Sequence, residues 1–207
     1  MTYINRKIVL MLFLLNSCAY LEYRDIFEYS KNYVLGIDDL IIDADYLKDR
    51  QSSFIKVKLG RSKVATFTLS SYSDIGFIWV GANNEQIITK HGRVIETSQL
   101  EHNLEILTKE EVTKSANGAS ELLIALFNPS AIISQSINRF DLGKKSLLLD
   151  KTYLTNKYKE AFNTDSYSWS GTNYYWLDAQ TNLPLKTISS PHPLLDEMEI
   201  EFYYKYK

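Results

Sequence analysis

From Glu197 to Phe202, apolar and charged residues alternate one for one, and the pattern resumes at Tyr204 and Lys205. Met198, Ile200, Phe202 and Tyr204 fall on one side, and Glu197, Glu199, Glu201 and Lys205 on the other. A period of two belongs to a β-strand, whose successive side chains point to opposite faces. The apolar side must meet a core and the acidic side must meet water. Because one such strand is not stable by itself, this segment has to close a sheet begun earlier in the chain. The same alternation recurs at Ile55, Val57 and Leu59 between Lys56 and Lys58, and at Ala65, Phe67 and Leu69 between Thr66 and Thr68. Ile75 to Val80 is apolar on both faces and reads as a central strand. Gln86–Thr89 and Arg93–Thr97 flank His91-Gly92, a hairpin whose glycine supplies positive φ. The 15 tyrosines, nine phenylalanines and three tryptophans fit this β-rich reading.

Helical signals are short. Asp43-Ala44-Asp45 reads as an N-cap for one or two turns over Tyr46–Arg50. Ser120 caps a turn or two over Glu121–Leu126 that Asn128-Pro129 ends, and Ile132, Ile133 and Ile137 continue as a second short helix. Thr108–Gly118 reads as loop or helix, Leu147–Leu149 is ambiguous, and Lys151–Phe162 reads as helix or strand. Beyond it, Tyr167 and Trp169 share one strand face and Tyr174 and Trp176 another. Asp178–Asn182 is a turn, Leu183–Ile188 is a strand, and Pro191-His192-Pro193 breaks it. No repeat and no linker divides the body.

The N-terminus carries a different message. Arg6 and Lys7 precede eight uninterrupted apolar residues, Ile8 to Leu15, and then Asn16, Ser17 and Cys18. A cationic start, a short apolar run and small residues at its end describe a secretory signal peptide. The run falls far short of the roughly 20 residues that span a bilayer. Leu15-Asn16-Ser17-Cys18 resembles the bacterial lipobox, with Asn16 an uncommon residue in it. Its cysteine, the only one in the chain, would receive a diacylglycerol. The expected organisation is a lipoprotein signal peptide over 1–17, a lipid-proximal tether or short helix over 18–35, and a β-rich domain over 36–207. Each buried methylene contributes about 0.8 kcal/mol, so an acylated Cys18 would hold the domain at the membrane. Ala19 stands where an aspartate would retain an enteric-type lipoprotein at the inner membrane, so the expected location is the outer membrane, facing the periplasm.

With 23 basic and 25 acidic residues, the chain lacks the cationic excess of a general nucleic-acid binder. His91, His102 and His192 lack metal-ligand spacing, and His91 and His192 read as surface loop residues. There is no Gly-x-Ser-x-Gly elbow and no phosphate-cradling glycine loop. Glu197, Glu199 and Glu201 read as a solvated strand face rather than as a glycosidase pair. Trp79, Trp169, Trp176, Tyr174 and Tyr175 either stack on sugar rings or fill the sheet. Arg93 either meets an anionic sugar or is an exposed hairpin arginine.

A longer pattern accompanies the lipobox. The stretch Trp79-Val80-Gly81-Ala82-Asn83-Asn84-Glu85-Gln86-Ile87-Ile88-Thr89-Lys90-His91-Gly92-Arg93-Val94-Ile95-Glu96-Thr97 is followed by Leu100, Asn103 and Leu104. Near the end come Tyr175-Trp176-Leu177-Asp178-Ala179 and Leu185-Lys186-Thr187. Together these resemble the YjbF/GfcB, or YmcC-like, lipoproteins of group 4 capsule and exopolysaccharide operons. Leu183 departs from that pattern, where a turn glycine is common. The resemblance implies a mainly β fold with a few short helices, a single antiparallel-sheet domain built as a sandwich or a LolA-like half-barrel. It also implies a non-catalytic outer-membrane lipoprotein that assists assembly or export of capsular or extracellular polysaccharide, by binding polymer or an export-machine partner. No cofactor, metal or catalytic residue comes with it. The residues for glycan or partner contact are Trp79, Arg93, Tyr174, Tyr175 and Trp176, and the lipidation site is Cys18. Two alternatives remain: a lipid or lipoprotein carrier with an apolar half-barrel, and a polysaccharide-modifying enzyme. A sealed core would count against the carrier, an aromatic-lined open groove would favour glycan binding, and two close carboxylates in a cleft would favour the enzyme.

Overall fold

The computed structural model describes residues 40–61, 64–108 and 118–205. The expected signal peptide, lipidated Cys18 and tether lie outside these residues, as does most of Thr108–Gly118. Among the described residues, one helix, α1 (Ala44–Asp49), precedes twelve strands. They are β1 (Phe54–Leu59), β2 (Ala65–Ser73), β3 (Gly76–Val80), β4 (Gln86–Lys90), β5 (Arg93–Ser98) and β6 (Asn103–Ile106). Then come β7 (Gly118–Phe127), β8 (Ala131–Leu148), β9 (Thr152–Thr164), β10 (Ser170–Asp178), β11 (Pro184–Ser189) and β12 (Met198–Tyr203). Each strand pairs antiparallel with the next, and β12 pairs with β1, so the sheet is a closed barrel.

Closure corrects the half-barrel expectation. Phe54 lies opposite Tyr203, Ile55 opposite Phe202, Val57 opposite Ile200 and Leu59 opposite Met198. The alternating β12 segment therefore meets the equally alternating β1, and their apolar faces point inward together. Outside, Lys56 faces Glu201 and Lys58 faces Glu199. Lys56 lies 3.2 Å from Glu201, and Lys186 of β11 lies 3.6 Å from the same carboxylate and also bonds Glu199. The acidic face is thus a ladder of ion pairs, each worth little but together marking the wet side of the wall. The lysines and glutamates on the outer wall of β1, β11 and β12 are the reverse of the apolar outer band that a membrane-spanning barrel carries.

Twelve strands around a circle would leave a wide lumen. Here the barrel is flattened and its opposite walls touch. Trp79 of β3 meets Phe202 of β12, three strands round the wall, edge to face at 5.9 Å. At the β4–β5 turn, a Cβ added to Gly92 would fall 2.9 Å from Thr187 and 3.1 Å from Pro184 of β11. The core runs through both walls, from Ile55, Phe67, Trp79, Ile87 and Leu104 to Leu122, Ile137, Phe162, Met198 and Phe202. The sandwich expectation is corrected as well: the facing walls are parts of one antiparallel sheet whose edges are joined, not two separate sheets. Gly92 also sits at φ +84°, a backbone region that costs an L-residue about 1–2 kcal/mol. Gly92→Ala is expected to destabilise by about 3 kcal/mol, the backbone cost plus overpacking against β11, read as a shifted urea midpoint at constant slope.

Some local expectations hold. Asp43 caps α1, accepting from the Tyr46 N–H at 2.8 Å. Asp178 caps its turn, accepting from the Gln180 and Thr181 N–H groups at 3.0 and 2.9 Å. Asn182, at φ +59°, takes the left-handed turn position that Leu183 could not. Others do not hold. Glu121–Leu126 and Ile132–Ile137 are not helices but the strands β7 and β8, with Leu122, Ile124, Leu126, Ile133 and Ile137 inward. Lys151–Phe162 resolves as strand, while Tyr167 and Ser168 form a positive-φ turn rather than a strand. β8 is 18 residues long. Its register with β9 shifts between Asp141 and Lys144, where Gly143 adopts φ +72° and donates its N–H to Asp141 at 2.7 Å. Such a bulge bends the strand. Past it the β8–β9 hairpin continues toward the β10–β11 turn, where the Ala179 N–H donates to the Leu154 carbonyl at 3.0 Å.

Candidate functional site

Three features of the barrel carry charge or space: a polar cluster inside it, a histidine pair at one end and a groove at the other.

The inner cluster centres on Glu160 of β9, which is 0 % exposed. Arg93, 7 % exposed on β5, donates to Glu160 Oε2 from across the barrel. Asn173 Nδ2 and the Tyr175 hydroxyl donate to Glu160 Oε1 at 3.2 and 3.4 Å. Burial lifts the Tyr175 pKa above its ordinary value, so its hydroxyl keeps the proton that it donates. A second guanidinium, Arg139 of β8, stacks 4.4 Å from the Tyr158 ring. The space inside is small: the void beside Arg93, Gln135, Trp169 and Asn173 measures about 20 Å³, room for roughly one water molecule. That void is too small for a lipid chain.

At the end formed by the β5–β6 and β11–β12 loops, His102 and His192 stack, ring centroids 5.1 Å apart and planes within 15°. His102 Nδ1–H donates to the Asn128 carbonyl. His192 Nδ1 accepts from the Leu194 N–H at 3.1 Å, so its proton sits on Nε2, which is buried and without a partner. Parallel rings direct their lone pairs in parallel, so the pair does not converge on one metal ion. His192 is fully buried rather than a surface loop residue. Burial first, and the His102 ring second, hold its pKa down to about 4. In the unfolded chain it titrates near 6.5, so between those values the unfolded state binds the extra proton and stability falls with falling pH. The loss should begin near pH 6.5 and reach up to about 3 kcal/mol at pH 4. Urea unfolding of wild type and His192→Gln across that window measures it: the difference between the two should shrink steadily as pH falls.

The groove lies beside α1. It measures about 300 Å³ and is lined by Leu47, Lys48, Arg50, Ser52, Phe54, Asp150, Tyr153, Tyr203, Tyr204 and Lys205. Its position follows from the strands: β1 starts and β12 ends here, and the extended β8–β9 hairpin brings Asp150 and Tyr153 to them. Phe54 and Tyr203, opposite each other in the β1–β12 ladder, stack on the outer wall at 5.0 Å. Tyr46 of α1 meets Phe54 edge-on at 5.7 Å. Arg50 lies 4.8 Å from the Tyr46 ring and 5.3 Å from the Phe54 ring, and donates to the Tyr46 hydroxyl. Tyr153 donates its hydroxyl to Asp150 at 3.0 Å. Phe54 and Tyr203 are themselves 2 % and 7 % exposed, so what the groove offers a ligand is three cations against one carboxylate above a covered aromatic layer, which favours an anionic ligand.

The five expected contact residues separate. Trp79 is 0 % exposed, its Nε1–H donating to Thr89 at 2.9 Å, and Tyr175 and Arg93 belong to the inner cluster. The exposed-arginine expectation for Arg93 is thereby corrected: its strand turns it inward, where Glu160 compensates its charge. Tyr174 and Trp176 share the outer wall. The Lys157 ammonium sits 4.9 Å from the Tyr174 ring and 4.4 Å from the Trp176 ring, covering faces a sugar would use. The groove residues Arg50, Phe54, Tyr153 and Tyr203 were not singled out by sequence. The one local hint was aromatic and basic content clustered around Tyr46–Phe54.

Comparison with known proteins adds the family. A family model described as group 4 capsule polysaccharide lipoprotein, YjbF, matches residues 30–202. Among solved structures, the hypothetical lipoprotein YmcC from Escherichia coli K12 is 16% identical, with TM-score 0.67, over 91% of this chain and 99% of that one. A Parabacteroides distasonis protein described as a lipoprotein is 9% identical, with TM-score 0.33, over 74% of this chain and 94% of that one. None of the curated proteins matches.

Proposed function

The chain belongs to the YjbF family of group 4 capsule polysaccharide lipoproteins, and on that premise we propose a non-catalytic role in assembling or exporting capsular or extracellular polysaccharide. It acts by holding polymer, or an export-machine partner that carries polymer, in the groove beside α1. The observation that supports this most is the contrast in volume: about 300 Å³ of cation-rimmed groove against about 20 Å³ inside the barrel. A filled interior argues against a carrier that encloses a lipid. The carboxylates argue against a hydrolase, since Glu160 is bound to Arg93 and Glu199 and Glu201 are bound to lysines. Cys18 is the acylation site in this reading, anchoring the domain to the outer membrane on its periplasmic side, with the charged wall of β1, β11 and β12 in water.

Binding of the purified capsular polymer tests the groove. Lys48 and Lys205 are exposed and lie on its rim. Lys48→Ala with Lys205→Ala is expected to weaken binding roughly tenfold, the loss of two exposed charges worth up to about 1 kcal/mol each, with little change in stability. Unchanged binding would remove the groove assignment. Deletion of the gene is expected to lower surface polysaccharide, and unchanged polymer on the cell exterior would remove the pathway assignment.

A further inference from the structure

The β8–β9 hairpin turns through Lys144-Lys145-Ser146-Leu147-Leu148-Leu149-Asp150-Lys151. Past the Gly143 bulge, Lys144 pairs with Asn156, Ser146 with Leu154 and Leu148 with Thr152. Cross-strand partners point to one side, and residues two apart share a face. One face of this arm therefore carries Lys144, Leu148 and Leu154. Leu148 is 74 % exposed and Leu154 54 %, and neither belongs to the barrel core. Lys144, Lys145 and Lys151 are exposed around them. The one carboxylate of the arm, Asp150, accepts from the Tyr153 hydroxyl. From Lys144 to Leu154 the arm carries three lysines and one aspartate, an excess of positive charge in a chain of formal charge −2. A standard protein interface buries about 800 Å² on each partner, more than a two-leucine face offers. Exposed leucines ringed by lysines suit a bilayer surface instead: the apolar side chains pass the headgroups while the ammonium groups stay at the phosphates.

The topology sets where the arm points. Neighbouring strands run in opposite directions around the barrel, so the start of β1, the end of β12 and the β8–β9 turn share one end. Asp150 and Tyr153 accordingly line the groove together with Leu47, Phe54 and Lys205. The chain that follows Cys18 enters the described body at this end, at residue 40. The loops that hold His102 and His192 lie at the other end.

We infer that the tip of the β8–β9 arm is a second membrane contact. Leu148 and Leu154 enter the acyl boundary of a bilayer with anionic headgroups, and Lys144, Lys145 and Lys151 meet its phosphates. The contact turns the α1 end of the barrel toward the membrane and the His102–His192 end away from it. It rests on the acylated Cys18 of the proposed function, which keeps the bilayer close enough for a weak contact to be occupied.

Tryptophan quenching tests it on the full protein, reconstituted in vesicles of phosphatidylethanolamine and phosphatidylglycerol with brominated acyl chains. Trp79, Trp169 and Trp176 are buried and set the background. In Leu148→Trp, the emission added over wild type is expected to fall by about half relative to unbrominated vesicles, because an interfacial side chain lies about 5–10 Å into the acyl boundary, within reach of the bromines. Leu194→Trp, at an exposed position at the opposite end, is expected to lose less than about a tenth. In brominated phosphatidylcholine, which is neutral, the Leu148→Trp loss should be at most about half as large. If Leu148→Trp does not fold, Leu154→Trp gives the same reading from the same face. Flotation of the vesicles separates this contact from the anchor. Protein that floats without quenching of the arm tryptophan, or with equal quenching in Leu194→Trp, overturns the arm contact and leaves the anchor standing. Equal quenching in phosphatidylcholine overturns the anionic-headgroup assignment. Quenching in protein whose Cys18 carries no acyl chain keeps the arm contact and removes the anchor, and protein that does not float overturns both.

Discussion

Replacing Glu160 with alanine is expected to destabilise the protein by about 3–5 kcal/mol, the range for removing one partner of a buried ion pair. The carboxylate is fully buried and binds Arg93, Asn173 and Tyr175 at once. Without it, Arg93 and Arg139 face each other's field across the flattened barrel with no anion among the described residues between them. That loss is a large part of the roughly 5–15 kcal/mol that holds a domain of this kind together. The double variant Arg93→Met with Glu160→Leu is expected to recover only part of it, since it removes one of the two desolvated guanidiniums but leaves Arg139 buried and Asn173 and Tyr175 without their acceptor. Urea unfolding measures all three proteins. A cost below about 1 kcal/mol for Glu160→Ala would show that the cluster is solvated and that the two walls are not joined there.

Trp79→Ala is expected to cost about 3–5 kcal/mol, as for other large-to-small changes of a buried aromatic. The indole is among the largest fully buried side chains and touches Phe77 of its own strand, Phe202 of β12 and Tyr204 beyond it. Removing it opens a void between β3 and β12 that cannot collapse, because β1, β2 and β3 are fixed by their ladders. Thr89→Val separates packing from hydrogen bonding. It keeps the volume but leaves the Trp79 Nε1–H without its acceptor, and should cost only about 1–2 kcal/mol. Neither variant is expected to change polymer binding once the protein is folded, because this ring is sealed inside.

Strands with one wet and one dry face were legible from sequence. β1 and β12 show clean alternation because lysines and glutamates mark their outer positions. β7 was hidden because its outer face carries the exposed Leu123 and Phe127, and β8 because Ile132 lies outside while Gln135 and Arg139 turn inward. Apolar residues on both faces erase the period of two, and Ile132, Ile133 and Ile137 then mimic helical spacing. The turn at Asn128-Pro129 was placed correctly, but as the end of a helix rather than as a hairpin. Closure itself has no local signal, since it is a pairing between the first and last strands.

The site followed the same logic. Arg93 and Glu160 are 67 residues apart, and nothing near Arg93 announces that it turns inward. The trace lay in β9, where Tyr158, Glu160 and Phe162 alternate with Lys157 and Lys159 and put a glutamate on an apolar face. A buried acid requires a buried partner, and Arg93 and Arg139 were the cations placed to supply it. The groove joins α1, β12 and the β8–β9 hairpin, which come together only because β8 continues past its bulge. Leu183, the departure from the family pattern, proved harmless because Asn182 takes the left-handed position.

Amide chemical-shift mapping of the folded domain with oligosaccharide fragments of the capsular polymer is the most direct measurement. A structural barrel with its recognition surface outside predicts shifts at Arg50, Phe54, Tyr153, Tyr203 and Lys205, with Trp79, Trp169 and Phe162 unmoved. Shifts centred on those three inner residues, with the groove silent, would contradict it.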